Sequence, residues 1–153
     1  MRSRVPMAVV LILAGSAGAA CAPPQFDDKT YDQQTIQALE ARLEQAQPRE
    51  QCFLYAELVH QMTEVSLKQY AAGDVDKATG LLKQIQQLAH KIHLSLAAND
   101  KRLKNAEILL RHTAFRLTEM LHSTSYEDRE LVQQTLAQVN QAENEAMMQV
   151  FRK

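Results

Sequence analysis

Apolar residues in this chain recur at every third or fourth position, the period of a helix, and nowhere alternate as a half-buried strand would. The cleanest stripe is Ala78, Leu81, Leu82, Ile85, Leu88, Ala89, Ile92 and Leu96, and Leu103, Ala106, Leu110, Ala114, Leu117 and Leu121 repeat it. Upstream, Tyr55, Leu58, Val59, Met62 and Val65 form one face of a helix predicted from about Arg49 to Ala72, with Glu57, His60, Gln61, Glu64 and Lys68 opposite. A shorter helix from Thr30 to Ala46 carries Ile36, Leu39 and Leu43 and is ended by Gln47-Pro48. The last helix carries Val132, Leu136, Val139, Ala146 and Val150, a stripe that Glu143 interrupts.

Local signals place the ends of these elements. Gly73 suits the left-handed C′ position that closes a helix, and Asp74 after it is the expected N-cap of the next. Ser125 with Asp128 fits a capping box, Glu127, Asp128 and Glu130 crowd the following first turn, and Arg152 and Lys153 close the C-terminus, as the helix dipole favours. Prolines stop at Pro48 and only Gly73 and Gly80 follow residue 20, so little beyond Pro48 opposes helix. The prediction is an all-α, up-down bundle of four long helices plus a shorter N-terminal helix, in one domain over residues 30–153. The third and fourth stripes stay in phase across Asn99-Asp100, with Lys101, Arg102 and Lys104 suiting mid-helix better than a first turn. One continuous coiled-coil helix from Asp74 to His122 is therefore the alternative, against which the Asn99-Asp100 cap signal argues for a break.

The N-terminus has a different pattern. Arg2 and Arg4 precede an apolar run from Val5 to Ala14, then small residues to Ala20 and Cys21, the layout of a secretory signal peptide over residues 1–20. Gly18-Ala19-Ala20-Cys21 resembles a lipoprotein signal, which would make Cys21 the lipidated first residue and residues 21–29 an extended tether. Ordinary cleavage after Ala19 or Ala20 would instead leave a thiol able to pair with Cys52. An uncleaved anchor fits poorly, because the apolar run is about ten residues and a span needs roughly 20. Loss of residues 1–20 removes two arginines and moves the formal charge from -1 to -3. An acidic exported domain lacks the basic face that phosphate contacts require, so no nucleic-acid partner is expected.

The segments QPREQCFLYAELVHQMTE, residues 47–64, and LKNAEILLRHTAFRL, residues 103–117, resemble a small group of exported, all-helical, lipoprotein-like bacterial proteins of no assigned activity. The resemblance implies export and helicity and brings no catalytic or binding residue. AAGDVDKA, residues 71–78, looks like the turn inside a tetratricopeptide hairpin, but the 34-residue repeat is absent and only the turn chemistry is shared.

Candidate chemistry is sparse. Glu57-x-x-His60 and Glu119-x-x-His122 have the i, i+3 spacing of carboxylate-bridged di-metal bundles, and those four residues are the metal-site alternative. Against it, Glu57 and His60 fall on the polar face and the third helix supplies no glutamate. His90 and His93 share the spacing on the outside of their helix, where metal binding would be adventitious. No haem-attachment motif, nucleophile elbow or phosphate-cradling glycine loop occurs, so no catalytic residue and no cofactor is expected. Met120, Met147 and Met148 read as core filler, and Cys52, beside Phe53 and Leu54, as a buried hydrophobe. Glu143 is expected to pair with Arg111 or Arg116 at the core edge. Ile108 and Phe115 lie on the side of the fourth helix away from its stripe, and in a five-helix fold Phe115 is expected to be internal. The functional expectation is a non-enzymatic envelope module, membrane-tethered through Cys21, that binds a protein partner or its own copy through exposed residues of the second and fifth helices.

Overall fold

The computed structural model describes residues 32–96 and 101–152. The signal segment, Cys21, the tether and Asn99-Asp100 lie outside these residues. The described residues form five helices and no strand: α1 (Gln33–Glu44), α2 (Pro48–Ala71), α3 (Val75–Ser95), α4 (Leu103–Ser123) and α5 (Arg129–Phe151). None is long and apolar enough to cross a membrane.

The helix ends follow from local chemistry. The Asp32 carboxylate accepts the Thr35 N–H and hydroxyl, both at 2.8 Å, which caps α1 and holds the carboxyl below its ordinary range. Pro48 takes the first position of α2, where the missing N–H is no loss. Gly73, at φ +86, closes α2: its N–H donates to Tyr70 O at 3.1 Å and the Asp74 N–H to Gln69 O at 2.9 Å, the two bonds of a Schellman motif. Two expected caps are not formed. The Asp74 side chain pairs with Lys77 at 3.4 Å instead of capping α3. Ser125 donates to the Asp128 carboxylate at 2.9 Å, and α5 starts only at Arg129. Tyr70 accounts for that shift, since its hydroxyl accepts the Ser125 N–H at 2.8 Å and donates to Asp128 at 3.3 Å, drawing the α4–α5 turn onto the end of α2.

Packing joins two antiparallel hairpins, α2–α3 and α4–α5, side by side. Alongside one another, α2 and α4 run parallel, as do α3 and α5, so the step from α3 to α4 crosses the diagonal of the bundle. Parallel registry is visible where Lys101 N–H meets Arg49 O at 2.9 Å and where Arg116 Nε meets Glu64 at 2.6 Å. The residues around the junction therefore belong to two separate helices. Lys101 and Arg102, unusual for a helix start, tie it down: Lys101 Nζ lies 3.6 Å from Glu50 and the Arg102 guanidinium 3.6 Å above the Phe53 ring. Arg102 itself is left-handed at φ 62, the backbone reversal just before α4.

Helix α2 touches α1, α3 and α4 and is covered nearly all round. Its supposed polar face is a packing face, with Gln61 and Glu64 buried beside Leu58, Val59 and Met62. Thr63 donates to Val59 O at 2.9 Å and Ser66 to Ala78 O of α3 at 3.1 Å, whereas the buried Gln61 Oε1 accepts no hydrogen bond among the described residues. Leu82, Ile85, Ile92, Leu110, Leu117, Met120 and Val132 fill the centre, each fully buried and stabilising the fold by about 1.5–3 kcal/mol. Met120 and Cys52 are core residues, but Met148, expected as core filler, is exposed and Met147 only half-buried, because the outer side of α5 at its C-terminal end has no helix packed on it among the described residues.

Candidate functional site

Polar seams mark where the helices meet. Between α2 and α4, the Thr113 hydroxyl donates to Leu109 O at 2.8 Å and so receives the Nδ1–H of His60 at 3.1 Å, which sets the imidazole tautomer. One turn on, Arg116 joins Glu64 of α2 to Glu119 of its own helix. Between α3 and α5, Gln86 donates to Thr135 at 3.0 Å and His93 Nδ1 lies 2.6 Å from Glu145. Between α4 and α5, Arg111 pairs with buried Glu107 and lies 3.6 Å from Glu143.

The two Glu-x-x-His motifs are not brought together. His60 is half-buried in the α2–α4 seam and Glu57, three residues before it, is also half-buried, whereas Glu119 and His122 are exposed. With His60 opposite Thr113 and the helices parallel, Glu119 and His122 lie about 9 and 14 Å of helix rise beyond His60. No group of three or more His, Cys, Asp or Glu suited to a metal ion occurs among the described residues. His90 and His93 stack with ring centroids 6.1 Å apart on the exposed side of α3.

Glu143 takes the core-edge role with Arg111. Burial raises its carboxyl above the ordinary range, the adjacent Glu107 carboxyl adds to this, and Arg111 only partly offsets both. Burial also acts on Glu145, but hydrogen bonds from His93 and Gln141 outweigh it and hold that carboxyl low. The stability consequences have opposite signs. Glu143 contributes most when protonated, and that contribution is lost as pH rises through its elevated pKa; the contribution of Glu145 is present above the ordinary carboxylate range and lost as pH falls through its depressed pKa. Glu143→Gln should therefore melt above the parent at pH 7, with the gap closing near pH 4, in thermal scans followed by circular dichroism.

Two surface features were not foreseen. A groove of about 790 Å³ runs between α3 and α5, lined by Gln86, His90, Leu94, Gln138 and Glu145 with Ala89 and Ala142 at its floor. The only signal for it in the stripes was Ala89, a small residue that faces Ala142 of α5. The other is the outer face of α4. Phe115, expected inside, is 62% exposed, and Ile108, one heptad earlier, is 40% exposed. The reason is topological: α2 and α5 flank α4, α3 lies diagonally across the core, and α1 packs on α2 alone, so nothing among the described residues covers the fourth side. Beside Ile108, a cleft of about 210 Å³ opens between α4 and α5, lined by Lys104, Arg111, Met147, Val150 and Phe151. Phe151 at its rim is 80% exposed.

Comparison of the chain with protein families, with curated proteins and with solved structures finds no match.

Proposed function

We propose that this chain is a non-enzymatic interaction module of the bacterial envelope: a four-helix bundle with α1 flanking it, exported and tethered through a lipid on Cys21. It works by binding protein through the outer face of α4. The supporting observation is the pair Ile108 and Phe115, two large apolar side chains left in water one heptad apart beside an apolar cleft. A helix-in-groove or helix-on-helix contact uses anchors at that spacing. Binding thus moves to α4 and the end of α5 from the second and fifth helices.

The test is a photo-crosslinking amino acid at position 115 of the full chain in its native host. The expected result is a discrete protein adduct in the envelope fraction, on a chain whose intact mass shows an acylated N-terminus at Cys21. Crosslinks from position 87 in the α3–α5 groove and none from 115 would place the surface elsewhere. A chain retaining residues 1–20 in the cytosol would end the envelope reading.

A further inference from the structure

We infer that the partner seated on the outer face of α4 is a second copy of this chain, docked antiparallel about a two-fold axis between Arg111 and His112. This rests on the protein-binding reading above and names its occupant.

The order of residues along that face supports the inference. At 100° per residue, Lys104, Ile108, His112, Phe115, Glu119 and His122 all lie within one narrow outward stripe, centred on Ile108 and Phe115. Ile108 and Phe115 are equally far from the point between Arg111 and His112, and so are Lys104 and Glu119. An antiparallel copy therefore sets Ile108 against Phe115 of the second copy and Lys104 against Glu119 of the second copy, and the two-fold repeats both contacts. A parallel copy would set Lys104 beside Lys104 and Glu119 beside Glu119, so charge selects the antiparallel form.

The cleft completes the fit. Phe115 of the second copy arrives beside Ile108, at the mouth of the 210 Å³ space walled by Met147, Val150 and Phe151, which has room for one aromatic ring. Lys104, at the edge of that cleft, has no ion pair among the described residues, and the incoming Glu119, though paired with Arg116 of its own helix, keeps its side chain 45% exposed and can accept Lys104 as a second partner. The two Arg111 guanidiniums that meet near the axis are each already paired with Glu107 and Glu143 of their own chain, so they do not face one another as bare cations. Most of the contact is one helix face and the rim of its neighbour, at the small end of specific interfaces, roughly 1,200 Å² in total. The dimer should accordingly be concentration-dependent.

Sedimentation of the full chain across a concentration series, with thermal melting as the folding control, tests this. The parent should show a monomer–dimer equilibrium. Lys104→Glu should raise its dissociation constant about tenfold, and the exchange Lys104→Glu with Glu119→Lys should return it to within about threefold of the parent. Phe115→Ala should abolish the dimer without shifting the melt. A chain monomeric at every concentration, or a charge exchange that fails to restore association in a normally melting variant, overturns self-docking. If position 115 then crosslinks a different protein, the binding reading stands without the dimer; if it crosslinks nothing, both fall.

Discussion

Leu110→Ala is expected to lower stability by about 2–5 kcal/mol, whereas Phe115→Ala, five residues along the same helix, should leave the melt nearly unchanged. Leu110 is wholly buried between α4 and its neighbours, so truncation removes transfer energy and leaves a cavity in a packed interior. Phe115 has most of its ring in water already and leaves no cavity. In a chain of this size the Leu110 change corresponds to roughly 8–20 °C of melting temperature. The pair of melts measures which side of α4 faces the core. Equal, large losses from both variants would mean that Phe115 is covered in the monomer and that the outer-face proposal has no surface to act on.

Arg116→Ala should cost about 2–3 kcal/mol, because it strips the cation from Glu64, a carboxylate only 8% exposed in the α2–α4 seam. The figure is set below that for a fully buried pair because the Arg116 side chain is 38% exposed and water shares the interaction. Its guanidinium is held charged well beyond the ordinary range, chiefly by the Glu64 hydrogen bonds and then by Glu119. One signature separates this from loss of packing: Glu64→Gln added to Arg116→Ala should recover part of the deficit, because it removes the unpaired buried charge. Urea unfolding of the two variants and the parent reads it. A deficit unrelieved by Glu64→Gln would mean that the arginine stem, not its charge, supports the seam.

Element positions were legible because they depend on neighbours a few residues apart. The 3.6 period, Pro48 and Gly73 each act within a turn or two of chain, and the helices begin or end near those positions. Asp74 and Ser125 show where that locality stops. Both have the chemistry of an N-cap, yet Lys77 engages one, while Asp128 and Tyr70, the latter 55 residues upstream in sequence, engage the other. Likewise the Glu-x-x-His spacing puts each carboxylate about one turn from its imidazole on one helix, but says nothing of the offset between two helices that leaves the pairs apart.

By itself the sequence determined an all-helical chain, which residues share a helix face, and that Ile108 and Phe115 lie away from the main stripe of α4, because periodicity and turn chemistry are properties of the local backbone. Tertiary structure alone decided which faces are covered. The diagonal step from α3 to α4 puts α2 and α4 side by side, which buries Glu64 against Arg116 although its own helix presents it as polar. The same arrangement leaves α4 without a neighbour on its outer side among the described residues, so Phe115 stays exposed although its residue type favours the core. Burial depends on what lies opposite a residue in space, and that is set by helix order and registry across the bundle, which no single amphipathic stripe encodes.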